Sequence, residues 1–149
     1  MGGVPALVSF ATLTGADVYD LLALRQRVFV VEQHCAYLDA DGLDRDARHL
    51  LMRDRGVLVA YTRVLAPGVR FPTFSIGRVV VAPERRGERL GREVMEQTIA
   101  EIERAEGAVP ISLAAQAHLE GFYGSLGFRT ISGVYDEDGI PHLDMRREP

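Results

Sequence analysis

Residues 75–105 constrain the fold more than any other stretch. An apolar run over residues 75–81 passes through Ala82 and Pro83 into the loop Glu84-Arg85-Arg86-Gly87-Glu88-Arg89. A long helical pattern follows, in which Leu90, Val94, Met95, Ile99 and Ile102 recur with the period that draws one apolar stripe along a helix. Gly107 then stops it. A strand that feeds an amphipathic helix of this length predicts a sheet for the stripe to cover. The loop carries a chemical hint as well. A helix start exposes unpaired N–H groups and the positive end of the helix dipole. Glycine lets backbone approach an anion closely, and Arg85, Arg86 and Arg89 add charge. These features fit a phosphate or pyrophosphate cradle. They fit equally an ordinary connection with solvated arginines. The lysine-bearing nucleotide loop and the dinucleotide Gly-x-Gly-x-x-Gly are both absent.

The rest of the chain reads as more strands and helices in alternation. Residues 4–12 are apolar enough for an opening strand. Thr14 and Asp17 form a capping pair for a helix ending near residues 31–33. Residues 34–48 are polar and acidic, a loop with one helical turn. Residues 49–53 and 57–65 read as an antiparallel hairpin, split by Arg53, Asp54, Arg55 and Gly56. Pro67, Gly68 and Pro72 mark the next turn. Residues 111–115 form a short strand apolar enough for burial on both faces. Residues 118–126 read as a short helix closed by Gly127. Residues 128–132 and 142–145 complete the sheet, with residues 136–141 as a loop between them. A chain of 149 residues in this order predicts one mixed α/β domain over residues 1–149.

Composition narrows the function classes. No apolar run approaches the roughly 18 residues that a membrane-spanning helix needs. The first six residues lack the basic and apolar regions of a secretory signal, and Cys35 is the single cysteine. Both point to a cytoplasmic protein with no membrane partner. A net charge of −4 argues against a general nucleic-acid binder. All 17 basic residues are arginine. No lysine is present to form a Schiff base. Asp39, Asp41 and Asp44 lack the terminal glutamate that a calcium loop requires, so no metal is expected.

Seven stretches, in order, resemble the ElaA-like family of the GNAT superfamily of N-acetyltransferases. They are Leu24-Arg25-Gln26-Arg27-Val28-Phe29-Val30-Val31-Glu32-Gln33; Tyr37 with Asp41-Gly42; Gly77-Arg78-Val79-Val80-Val81; Arg86-Gly87-Glu88; Ala115-Gln116-Ala117-His118-Leu119; Phe122-Tyr123 through Gly127-Phe128; and Asp138-Gly139-Ile140-Pro141-His142. The resemblance covers nearly the whole chain. It implies a mixed, mostly antiparallel sheet splayed into a V between its fourth and fifth strands, with helices on both faces. It implies acetyl-CoA as co-substrate, its pantetheine arm on the backbone of Val79, Val80 and Val81. Its pyrophosphate would sit on Arg86, Gly87, Glu88, Arg89, Leu90 and Gly91. Two positions depart from the pattern. Arg89 stands where glycine is common, and Gln116 where many relatives have a CoA-contacting asparagine.

The resemblance also assigns chemistry. Tyr123 is the general acid for the departing thiolate, although read alone it is one aromatic of a short helix. The Val81 N–H polarises the thioester carbonyl. The amine must be neutral to attack, and Glu32, His34, His118 and His142 are candidate bases. Glu32 is favoured over His142, because the helix-end segment is expected to face the acceptor. Gln33, His34, Tyr37 and Asp41 then line the acceptor site. The acceptor is an amine of a small molecule or of a protein, and the acidic loop over residues 34–48 would attract a cationic one. A covalent route through Cys35, with His34 or His142, competes with direct transfer. A non-catalytic acyl-CoA-binding module is the alternative from another class. Open strand edges near the C-terminus permit a homodimer.

Overall fold

The computed structural model describes residues 4–149. The eight strands among the described residues are β1 (Leu7–Ser9), β2 (Arg48–Asp54), β3 (Val57–Leu65), β4 (Phe74–Val81), β5 (Ile111–Gln116), β6 (Phe128–Thr130), β7 (Tyr135–Glu137) and β8 (Ile140–Arg147). They form one open sheet in the order β1-β2-β3-β4-β5-β8-β6, with β7 also paired to β8. Only β4 and β5 run parallel; the other pairs are antiparallel. None of the described helices is long and apolar enough to cross a membrane.

Helix α1 (Gly15–Arg25) starts at the expected capping pair. The Asp17 N–H donates to Thr14 Oγ1 at 3.0 Å, and the Thr14 N–H donates to Asp17 Oδ2 at 3.0 Å. This satisfies two donors that a helix start leaves orphaned. Beyond Arg25 the chain continues as a π-helical segment, Gln26–Glu32. Its wider turns show at its end, where the Gln33 N–H reaches Val28 O and the Cys35 N–H reaches Val30 O. Helix α2 (Leu90–Glu106) buries its whole predicted stripe, Leu90, Val94, Met95, Ile99 and Ile102.

The two helices cover opposite faces of the sheet, because side chains alternate along β3. Tyr61 packs with Leu21, Leu24 and Val28 of α1 and the π segment. Ala60 packs with Leu90 and Val94, and Val64 with Met95 and Ile99, on the α2 side. Thr62, on that side too, meets Thr98 hydroxyl to hydroxyl at 2.7 Å. The short α3 (Glu120–Gly124) adds Tyr123 to the α2-side core.

The sheet opens where the V was expected. β4 and β5 pair only at Phe74↔Ile111 and Ser75↔Ser112. Beyond those residues β5 follows β8 instead, from Ile111↔Arg147 to Gln116↔His142. The far half of β4 is left with one neighbour, β3.

Three local expectations change. The opening strand shrinks to Leu7–Ser9. Phe10–Thr12 forms a 3-10 turn in which the Thr12 hydroxyl bonds Ser9 O at 2.8 Å, a local bond that competes with strand pairing. The helix over residues 118–126 is a 3-10 turn, Ala117–Leu119, followed by α3, with Gly127 left-handed at φ 94°. Residues 136–141 are no loop. Tyr135–Glu137 and the start of β8 form a hairpin turned by Asp138 and Gly139, both at positive φ (53° and 79°), as a two-residue type I′ turn needs.

Candidate active site

The opening between β4 and β5 is a cleft of about 400 Å³. The backbone of β4 forms one wall. The Ala82 N–H donates to Val59 O at 2.8 Å, and Val81 is the next residue back, facing Ala60. Bonding alternates along an antiparallel ladder, so the Val81 N–H and C=O turn away from β3 and into the cleft. The ladder slips between Tyr61 and Arg63, opposite Arg78, whose φ is 50°. Such a bulge re-aims a strand beside a site.

At its outer end the cleft meets a second hollow, formed by Arg85, Arg86, Gly87, Arg89, Gly91, Arg92 and Phe122. Val81, Arg86 and Leu119 belong to both. Among the described residues, the backbone N–H groups of Gly87 to Arg92 find no acceptor. That is a run of unpaired donors at the positive end of a 17-residue helix. Gly87, at φ 87°, holds a conformation that glycine adopts without strain. A Cβ at Gly91 would make ordinary contacts at 3.8 Å with Phe122 and Val81, so the protein alone does not demand glycine there. Its small size instead keeps the hollow open.

Tyr123 lines the cleft from α3. Burial pushes its phenol up to about 12, so it stays protonated. Burial is the single cause of that shift, with no hydrogen-bond partner among the described residues contributing, so the hydroxyl proton is free for a ligand. Across the cleft, Gln116 Nε2 donates to Gln33 Oε1 at 3.3 Å. The inner end is walled by Phe29, Tyr37, Leu38, Phe71, Glu137 and His142. There His142 Nδ1 lies 2.8 Å from Ile140 O, and Nε2 lies 3.4 Å from Glu137 Oε2. The carbonyl can only accept, so Nδ1 carries the hydrogen and Nε2 is left as the nitrogen with a free lone pair.

The acidic loop is neutralised from inside. Arg25 binds Asp39 and Asp44, Arg63 binds Asp41 and Asp44, and Arg78 binds Asp39 and Asp41. Burial raises the Asp41 carboxyl, but hydrogen bonds from Arg63 and the Leu43 N–H outweigh it and bring the group to about 2. Three aspartates against three arginines leave no surplus charge to draw a cation.

The acetyltransferase (GNAT) domain family matches residues 16–149. The chain belongs to the GNAT acetyltransferase family. The protein ElaA of Escherichia coli (strain K12) is 45% identical over 138 residues, spanning 91% of this chain and 90% of its own. The crystal structure of E. coli ElaA superposes with a TM-score of 0.90 at 42% identity, covering 97% of this chain and 98% of that one. That of an acyl-CoA N-acyltransferase from Pseudomonas aeruginosa gives 0.89 at 44% identity, covering 96% and 98%. This GNAT chain is therefore ElaA-like, and an acyltransferase of a family that uses acyl-CoA.

Within this GNAT fold most site residues expected from the sequence gather. Val79, Val80, Val81, Gln116, Tyr123, Gln33, Tyr37, Asp41 and His142 line the cleft, with Arg86, Gly87, Arg89, Leu90 and Gly91 around the outer hollow. Glu88 stands beside them, its carboxylate on Arg85 Nε. His34 and His118 are exposed and lie outside the cleft lining. Glu32 also lies outside it. Its carboxylate is held by Arg86 at 2.6 and 3.0 Å, and that bond keeps it below the usual carboxylate range. The π-helical end of α1 turns Gln33 into the cleft and leaves Glu32 on the rim. Cys35 lines the cleft with its thiol on the Asp138 carbonyl at 3.4 Å. Sequence reasoning missed Glu137 and Arg70, both in the lining. The Asp138-Gly139 turn signal that places Glu137 stands in the sequence.

Proposed function

We propose that the protein transfers an acetyl group from acetyl-CoA directly to a primary amine. The observation that carries this is the splay after Ser75↔Ser112, which opens Val81's backbone to a cleft shared by Tyr123 and His142. The pyrophosphate of acetyl-CoA binds the unpaired N–H groups of Gly87 to Arg92, with Arg86 and Arg89 adding charge. The pantetheine arm lies along Val79 to Val81. The thioester oxygen accepts from the Val81 N–H, which meets the negative charge that develops during attack. His142 Nε2 takes a proton from the ammonium group, and the neutral amine then attacks the carbonyl carbon. As the C–S bond breaks, the phenol of Tyr123 protonates the sulfur. The second amine proton returns to the phenolate, so the phenol is restored and one proton leaves through His142. Glu32, tied to Arg86 at the rim, is assigned to the donor side rather than to the base.

The test is release of free CoA with a panel of amines, in the wild type and in Tyr123→Phe. The variant should fold and bind acetyl-CoA as the wild type does, while transfer slows by on the order of 10²–10⁴-fold. No CoA release with any amine, despite tight acetyl-CoA binding, would make the protein a binding module. Full activity in Tyr123→Phe would remove the phenol from the chemistry.

A further inference from the structure

The inner end of the cleft carries three side chains in a row. Arg70, in the connection between β3 and β4, donates to Glu137 Oε1 at 2.7 Å. The other oxygen of Glu137 faces His142 Nε2 at 3.4 Å. The row crosses the V, since Arg70 belongs to the β1–β4 half and Glu137 and His142 sit on the β7–β8 hairpin. The type I′ turn fixes the hairpin, and the register sets Glu137 against Ile140, two residues from His142. The bond at Nδ1 fixes the imidazole by pinning it to Ile140 O.

We infer that Glu137 and Arg70 are positioning residues that set the basicity of His142 and hold it at the acceptor nitrogen. This deepens the acetyl-transfer proposal and rests on it. When Nε2 takes the proton from the ammonium group, the charge so gained lies 3.4 Å from Glu137 Oε2, and the imidazolium gains a counter-charge. Arg70 works in the opposite direction. By holding the other oxygen it draws charge from the carboxylate and weakens its pull on the proton, so His142 can release it to solvent after each turnover. Other groups around the imidazole are accounted for. From β7 the Tyr135 ring stacks on it at 6.1 Å, with its own hydroxyl on Asp144. Gln116 is its neutral partner on β5, and Asp138 and Cys35 meet at the adjoining turn through the Asp138 carbonyl. Across the cleft, Asp41 and Arg78 are bonded to each other, and Tyr37 to Asp39.

The two positioning residues therefore make opposite predictions, which a role in folding alone would not. The experiment follows the His142 imidazole by NMR titration in the full-length protein, with the resonance assigned through His142→Ala, and follows the pH–rate profile in parallel. Glu137→Gln should move the titration, and with it the ascending limb of activity, to lower pH. Arg70→Gln should move both to higher pH. The side chains of Arg70 and Glu137 are both at least a third exposed, so neither variant is expected to unfold. If both variants leave the titration in place, or move it the same way, the inference is overturned. The titration needs no turnover, so it decides this point even if no amine acceptor is found. If the titration moves as stated while the rate limb stays, His142 is not the base, and the inference fails there instead.

Discussion

Two groups of three arginines serve the two ends of the cleft, and they behave in opposite ways. Arg25, Arg63 and Arg78 are 0%, 3% and 16% exposed, and they are locked to Asp39, Asp41 and Asp44 beneath the acceptor end of the cleft. Arg85, Arg86 and Arg89 stand at the donor end. Arg85 binds Asp54 and Glu88, Arg86 binds Glu32, and Arg89 has no carboxylate partner among the described residues. Bond lengths do not separate the groups, since the Arg86–Glu32 pair at 2.6 Å is as short as the Arg25–Asp39 pair at 2.7 Å. Solvent does. A partner in water is exchanged for an incoming phosphate at little cost, because both ions can be rehydrated on the way. A buried partner cannot leave without stranding a charge. The inner arginines are therefore scaffold that holds the loop carrying Tyr37 and Leu38, and in the proposed acetyl transfer the outer ones are the ligands for the incoming pyrophosphate.

The largest effect that would test this contrast is on stability. Arg25→Met leaves Asp39 without its shortest partner in a buried site and should cost about 3–5 kcal/mol of unfolding free energy in a urea titration. A loss below 1 kcal/mol would put the inner cluster in the same class as the outer one. The same buried region should also be acid-sensitive. Its histidine, His49, is fully buried, with Nε2 on Asp44 O at 2.8 Å and Nδ1 on the Tyr61 hydroxyl at 2.6 Å. Burial pushes its pKa below the ordinary 6.5. The unfolded chain therefore binds a proton that the folded chain refuses. Stability is present in full above pH 6.5 and falls as the pH drops below it. Replacing it by His49→Gln should flatten that fall.

The next effect is on binding. Arg86→Ala should hardly move the melting midpoint, yet weaken acetyl-CoA by on the order of tenfold or more, the range of one charge-assisted hydrogen bond. Glu32→Gln should do the reverse. Freed from its carboxylate, Arg86 meets the pyrophosphate without competition, and affinity measured by calorimetry should rise a few-fold, by less at high salt. The ascending limb of the pH–rate profile should stay in place in that variant. A limb that disappears would return the base to Glu32.

How much of this was legible in the sequence follows from the range of the forces. The α2 stripe, its Gly107 stop, the Thr14–Asp17 cap and the β2–β3 hairpin are written in neighbours a few residues apart. The hollow at the start of α2 was legible for the same reason, since strand, loop and helix start are contiguous. The inner cluster was not. Asp39, Asp41 and Asp44 read as an open acidic loop, because their partners lie 14 to 39 residues away on three different elements. β7 was hidden by its polarity: Tyr-Asp-Glu carries no apolar alternation, and only pairing with β8 makes it a strand. Glu32 and Gln33 are adjacent, and which of them faces the cleft depends on the π-helical widening after Arg25, which no local pattern announced.

The smallest effect concerns Arg89 and separates its two properties. It caps α2 at φ 63°, in the left-handed region, without a side-chain cap bond. An L-residue there costs roughly 1–2 kcal/mol, and glycine escapes that cost while losing about 0.5–1 kcal/mol more chain entropy on folding. Arg89→Gly should therefore leave stability unchanged or raise it by up to ~1 kcal/mol. Arg89→Ala keeps the strained backbone and loses the charge, so it should fall below the glycine variant by about 1 kcal/mol. Acetyl-CoA affinity divides the pair differently. Both variants lose the one outer arginine that has no carboxylate to leave, so both should bind more weakly and with a shallower salt dependence. If glycine instead restores wild-type affinity where alanine does not, then close backbone approach at residue 89 matters more than charge. The cradle would then work through its N–H groups alone, and Arg89 would be a substitution the site tolerates rather than one it uses.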